Sequence, residues 1–235
     1  MYARRMRSLW WLCVFSLSLL IAAPRSSRAE INMSESLELL VTKADWIVAG
    51  RITKLSPADP AARGKNSDLT LVIVQPTETV KAPTREAPRP AVCIGVRGFA
   101  AATLAEYQKQ GTELLFFLEQ TIQATSYEKV LCDLWPIRNQ GSSQPYIVSL
   151  SNPGKQLLSA TTFKVLKDRA TILAACKDTM KRFPWPDKRK PDDGPQAVFL
   201  ELPFESEAFQ ALYSGSACFL YVPEGMFPKA KRTLH

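Results

Sequence analysis

Histidine is nearly missing from this chain: the single one, His235, is its last residue. Ser–His–Asp and Cys–His catalysis both need an imidazole held beside the nucleophile, so neither has a base in place. His-ligated zinc and the HExxH pattern are excluded for the same reason. There is no Walker loop and no GxGxxG; Gly95-Val96-Arg97-Gly98 is too short for one and reads as a turn. No internal repeat and no low-complexity segment is found. Beyond the N-terminus no apolar run reaches the ~20 residues that a spanning helix needs. Nothing in the sequence calls for a cofactor or a metal.

What is present begins with an export signal. Arg4, Arg5 and Arg7 precede an apolar run from Leu9 to Ala23, and Ser27-Arg28-Ala29 offers small residues at a cleavage site. A cut after Ala23 would place Pro24 just past the scissile bond, so the expected mature start is Glu30. The alternative is an uncleaved anchor, for which the apolar run is short. Cleavage takes five of the 30 basic residues (Arg4, Arg5, Arg7, Arg25, Arg28) and none of the 22 acidic ones, so the formal +8 falls to about +3. Most of the basicity therefore belongs to targeting, and nucleic acid is not an expected partner.

Export also leaves an even number of cysteines, Cys93, Cys132, Cys176 and Cys218, in an oxidising compartment. The expected pairs are Cys93–Cys132 and Cys176–Cys218, each within one structural unit. The alternative is four buried thiols.

The opening stretch Trp46 to Leu55 alternates, with Trp46, Val48, Gly50 and Ile52 on one face, as a half-buried strand does. Asn32-Met33-Ser34-Glu35 has the form of a capping box before a helix carrying Leu37, Leu40, Val41 and Ala44. Strands follow at 69–74 and 77–80, with a bulge or an edge expected at Pro76. Further strands are expected at 91–96, 112–118, 129–135 and 146–150, with a helical turn over 104–110 ended by Gly111. Five or six strands without a βαβ rhythm predict a small antiparallel barrel or sandwich. From Thr161 to Phe183 the chain has no proline or glycine and repeats Ile172, Cys176 and Met180, which predicts one long helix. Two strands, near 198–204 and 218–222, then flank a short helix over 205–213.

Two features suggest chemistry. Carboxylate pairs support glycoside hydrolysis in some enzymes, but Glu35 and Glu38, Asp192 and Asp193, and Glu205 and Glu207 read as solvated faces. Asp133, next to Cys132, has two readings: an inward carboxylate paired with an arginine, or, as period 2 makes simpler, an outward one, which is the expectation. Trp185, fixed between two prolines, precedes Lys188, Arg189 and Lys190; an aromatic beside a basic cluster suits an acidic polymer or headgroup. The simpler account of that segment is a proline-stiffened connector. Trp46 and Trp135 read as core.

The order Ala44-Asp45-Trp46-Ile47-Val48-Ala49-Gly50-Arg51, then Val74 to Lys81, then Gly111-Thr112-Glu113-Leu114-Leu115-Phe116-Phe117-Leu118, resembles a module of exported bacterial proteins. That module is similar to the OB-like barrel of netrin and metalloproteinase-inhibitor domains. The resemblance covers roughly 34–120 and implies an OB-like barrel; from the strand pattern the barrel domain is expected over 30–152, after the signal at 1–29. A small α+β unit with a basic tail is expected over 153–235. The inhibitors chelate zinc through an N-terminal cysteine, whereas the mature chain starts Glu30-Ile31-Asn32. Lys81-Ala82 stands where the module has Lys-Gly, and Leu114 where it has Tyr. Leu220-Tyr221-Val222-Pro223 resembles the Leu-x-Val-Pro units of large exported planctomycete-type proteins. The expected role is a non-enzymatic binding or structural protein of the periplasm or envelope, with a protein or envelope polymer as partner. The alternatives are a carboxylate hydrolase working between the two halves and an envelope-protease inhibitor acting through Thr84 to Pro90.

Overall fold

The structure is a computed structural model; it describes residues 32–56, 69–84, 86–97, 101–139, 144–153, 157–184, 197–213 and 217–226. The chain is mainly β with a few helices, and its centre is a closed five-stranded barrel. The barrel strands are β2 (Trp46–Leu55), β3 (Thr70–Lys81), β4 (Val92–Val96), β5 (Glu113–Tyr127) and β6 (Val130–Pro136). They run β2-β3-β4-β6-β5 and close where β5 pairs with β2. Every pair is antiparallel except β4 with β6. A helix, α2 (Ala101–Gln110), lies between β4 and β5 in sequence, an arrangement compatible with an OB-like barrel.

Alternation sorts the core into two layers. Trp46, Val48 and Ile52 of β2 join Leu114, Phe116 and Leu118 of β5 in one apolar cluster. Their neighbours Ile47, Ala49, Leu115 and Phe117 belong to a second, with α1 (Leu37–Lys43) and α3 (Arg169–Arg182). Buried on both faces, β5 has the continuous apolar run that its sequence shows. The bulge expected at Pro76 is present: the β2–β3 register shifts between Ala49 and Gly50, and Gly50 lies opposite Pro76. A Cβ on Gly50 would stand 2.6 Å from both the Gln75 carbonyl oxygen and Val74 Cγ1. Gly50→Ala is therefore expected to cost about 1–3 kcal/mol in urea unfolding, as over-packing does. An unchanged midpoint would show that β3 moves away freely.

Several expectations are corrected. Asn32–Glu35 is a strand, β1, and the helix cap is Ser36, whose hydroxyl accepts from Leu39 N–H at 3.2 Å. Tertiary pairing wins: β1 runs parallel to β11 (Cys218–Pro223), which also pairs with β10 (Ala197–Glu201) in a three-stranded sheet. α4 (Glu207–Leu212) shares an apolar cluster with that sheet.

The long helix begins only at Arg169, capped by Asp168. Before it stands a two-stranded ribbon, β8 (Leu158–Ser159) with β9 (Lys164–Val165). Its turn is held by Glu38, whose carboxylate accepts from the Ser159 hydroxyl at 2.8 Å and from the N–H groups of Ala160 and Thr161 at 2.9 and 3.1 Å. Glu38 is thus buried, not solvated, and so is Glu35, which pairs with Lys43 at 3.1 Å. Gly95 and Val96 belong to β4 and not to a turn, and Gly95 lies beneath the ring of Trp135, which is half-buried.

One disulfide forms as expected, Cys93–Cys132, between directly paired residues of β4 and β6. The other pairing is overturned. Cys176 sits in the layer between α3 and the barrel, Cys218 in the cluster under α4, and no disulfide joins them. Burial, helped by the Glu38 charge, pushes the Cys176 thiol up to about 12, so it stays protonated.

Candidate functional site

Where the middle of β2, the start of β5 and the start of α3 meet, they leave a cleft of ≈ 480 Å³. Its parts follow from local structure. Gly111, at φ +62, ends α2 and turns the chain into β5 within two residues. In the β2–β5 register Arg51 stands opposite Glu113. Leu150 N–H donates to the Glu113 carbonyl at 2.9 Å, which brings Leu150 and Ser151 to the rim. Arg169 follows the Asp168 cap and so reaches the cleft from the first turn of α3.

The charges are tightly matched. Arg169 donates to Glu113 through Nε at 2.9 Å and Nη2 at 3.1 Å, and the same Nη2 donates to Glu78 at 3.2 Å. Lys177 holds the other Glu78 oxygen at 2.8 Å, and the Thr77 hydroxyl donates to Glu113. Burial alone would raise the Glu113 carboxyl, but hydrogen bonds from Arg169 and Thr77 and the charges of Arg169 and Arg51 bring it below the ordinary glutamate range. Glu78 is lowered chiefly by its hydrogen bond from Lys177. Both are ionised near neutrality, so the cleft has a rim of fixed charge and no stored proton.

A second polar cluster lies beside the buried indole of Trp46. Arg89 grips Asp133 with two N–H bonds, at 2.5 and 2.9 Å, and Glu86 with a third at 2.7 Å. Its guanidinium lies 4.7 Å from the centroid of the Trp46 ring. Gln120 donates to Asp133 at 3.1 Å and to Glu86 at 3.2 Å. Asp133 is 4% exposed, which corrects its expected outward position. In the β4–β6 register Cys93 and Ile94 oppose Cys132 and Leu134, so Asp133 is the extra residue of a bulge and alternation fails there. This cluster ties the proline-rich loop to the barrel. Three N–H bonds of Arg89 are thereby engaged, and among the described residues no three potential ligands converge on a metal position.

Aromatic rings are exposed around the three-stranded sheet. Phe199 (57% exposed) packs against Tyr221 at 4.7 Å, and Phe204 (65% exposed) and Tyr213 flank Phe209 at 5.0 Å each. Trp185, Lys188, Arg189 and Lys190 lie outside the described residues, as do residues 1–31, where the export signal is expected, and His235. The cleft residues Arg51, Glu113 and Arg169, and the Glu78 that shares Arg169, are not apparent in the sequence. The only local sign is a charged residue at each flank of the apolar runs of β2 and β5. No known protein family matches this chain, and no curated protein matches it.

Proposed function

We propose that this chain is an exported, non-enzymatic binding or structural protein of the periplasm or cell envelope, with a netrin-like barrel as its scaffold and the cleft at Arg51 and Arg169 as its ligand site. The observation that carries this reading is the state of Glu113, which lines the cleft, and of Glu78, which shares Arg169 with it. Glu78 and Glu113 are both held as carboxylates by Arg169 and Lys177, an arrangement suited to holding a ligand by fixed charge. Acid–base hydrolysis needs one carboxyl raised towards neutrality as a proton donor. Export is supported by the Cys93–Cys132 disulfide, which suits an oxidising compartment. Among the described residues no helix is long and apolar enough to cross a membrane.

The test is to offer the mature chain, from Glu30 onward, a panel of glycoside, ester and peptide substrates and to follow product release. No turnover is expected. Turnover abolished by Glu113→Gln or Glu78→Gln would establish the hydrolase instead. One observation favours that second reading: the two acids share Arg169 Nη2, which keeps their oxygens within about 6 Å of each other, a span that retaining glycosidases use. The inhibitor reading draws on the loop around Glu86 to Pro90, which Arg89 fastens to Asp133. A titration of envelope proteases with the mature chain decides it.

A further inference from the structure

The charged groups lining the cleft do not cancel. Arg51 and Arg169 face one carboxylate, Glu113. Glu113 is already taken by Arg169 and Thr77. The Arg51 guanidinium makes no hydrogen bond or salt bridge with any described residue and reaches Glu113 only through space. One positive charge is thus left over at the cleft, carried by a planar fork of N–H donors that matches a carboxylate edge. A dianion would gain from Arg51 but would face the Glu113 carboxylate across the strand pair, so the surplus suits a single negative charge. The rest of the rim is polar. Among the described residues, Thr112 and Ser151 present hydroxyls engaged in long contacts, 3.4 Å to Gln110 and 3.5 Å to Ser149. Leu150 is the apolar lining side chain. Hydroxyls both donate and accept, so they pair with a ligand's own hydroxyls better than with an aliphatic skeleton. The volume of ≈ 480 Å³ lies within the usual range for a small-molecule site and accommodates one sugar ring.

We propose that this cleft binds a sugar acid, a hydroxylated ring with one carboxylate, seated with that carboxylate on Arg51. The proposal rests on the binding reading above and specifies its ligand class. The probes are glucuronate, glucose, glucose 6-phosphate and N-acetyl-dialanine, titrated calorimetrically into the mature chain. They separate the single carboxylate from no charge, from a dianion and from a carboxylate lacking ring hydroxyls. Glucuronate is expected to bind at least roughly tenfold more tightly than each of the others. Arg51→Ala is expected to weaken it by roughly tenfold to a hundredfold, the range for a hydrogen bond to a charged group. Arg51→Lys keeps the charge but loses the fork, and is expected to recover only a small part. Arg51 is exposed, so these variants are expected to fold, and an unchanged thermal midpoint checks that. A polygalacturonate arm distinguishes the source: tighter binding per site than glucuronate identifies a residue within an acidic polysaccharide, and equal binding a free sugar acid.

Equal affinity for glucose and glucuronate, or unchanged binding in Arg51→Ala, would overturn the proposal. So would preference for the acetylated dipeptide, which would make the ligand a peptide carboxylate. Conversion of bound glucuronate to a product would sink the non-enzymatic reading while leaving the site in place.

Discussion

Replacing Arg89 with methionine is expected to lower the unfolding free energy by about 3–5 kcal/mol, the cost of leaving a buried partner uncompensated. Methionine retains most of the packing over Trp46, so the loss comes from Asp133 and not from a cavity. In the native chain burial would raise the Asp133 carboxyl, but hydrogen bonds from Arg89 and Gln120 and the guanidinium charge outweigh it, and it titrates below the ordinary aspartate value. Its stabilising contribution is therefore complete above that ordinary value, near ~4, and disappears as pH falls through the folded pKa. In the variant the sign reverses. Without the guanidinium, burial raises the Asp133 pKa, the folded state binds the proton more tightly, and stability rises as pH is lowered from neutrality towards 5. Urea unfolding of both proteins between about pH 3 and 8 checks this. Parallel pH profiles would show that Asp133 is solvated and the pair unimportant. The double variant Arg89→Met with Asp133→Leu is expected to recover much of the loss, because no charge is left stranded.

Removing the Cys93–Cys132 crosslink should have an effect of similar size. The bond closes a loop of 39 residues. In the chain-entropy account, a loop of that length limits the unfolded ensemble by about 4 kcal/mol. Cys93→Ala with Cys132→Ala is therefore expected to lower stability by about 2–4 kcal/mol. Reductant added to the unfolded native chain should reproduce that loss, and Cys176→Ala should leave the response to reductant intact. Were the response instead lost in Cys176→Ala, the pairing would be different from the one described.

The elements that the sequence reveals are those whose cause is local. Trp46, Val48 and Ile52 share a face because β2 is a strand, although Ile47 and Ala49 on its other face are buried too. Pro76 marks the bulge of β3 because it cannot donate to the ladder, and Gly111 ends α2 because its φ is positive. The failures share one origin, which is a distant partner. Asn32–Glu35 has every local feature of a cap, but β11 claims it as a strand. Thr161 has no helix breaker near it, yet Glu38 captures the turn at 159–161 and delays the helix to Arg169. Asp133 obeys period 2 only if no residue is inserted, and the insertion shows only against β4. Cys176 and Cys218 look like partners because their segments adjoin in sequence, while Cys176 faces the barrel and Cys218 faces α4. The cleft was illegible for the same reason. Arg51, Glu113 and Arg169 come from three separated segments, and only the β2–β5 register and the α3 cap bring them together.

The parallel pairing of Met33 with Phe219 and Glu35 with Tyr221 constrains the timing of folding. Delivery of the chain from its N-terminus presents one side of that contact first and the other only after nearly the whole described chain. The barrel has nearer partners and is free to condense early, while Asn32–Glu35 waits as an unpaired edge. Shielding of that segment by a holdase, until Cys218–Pro223 arrives, should therefore raise the yield of folded protein more than stabilising the barrel does.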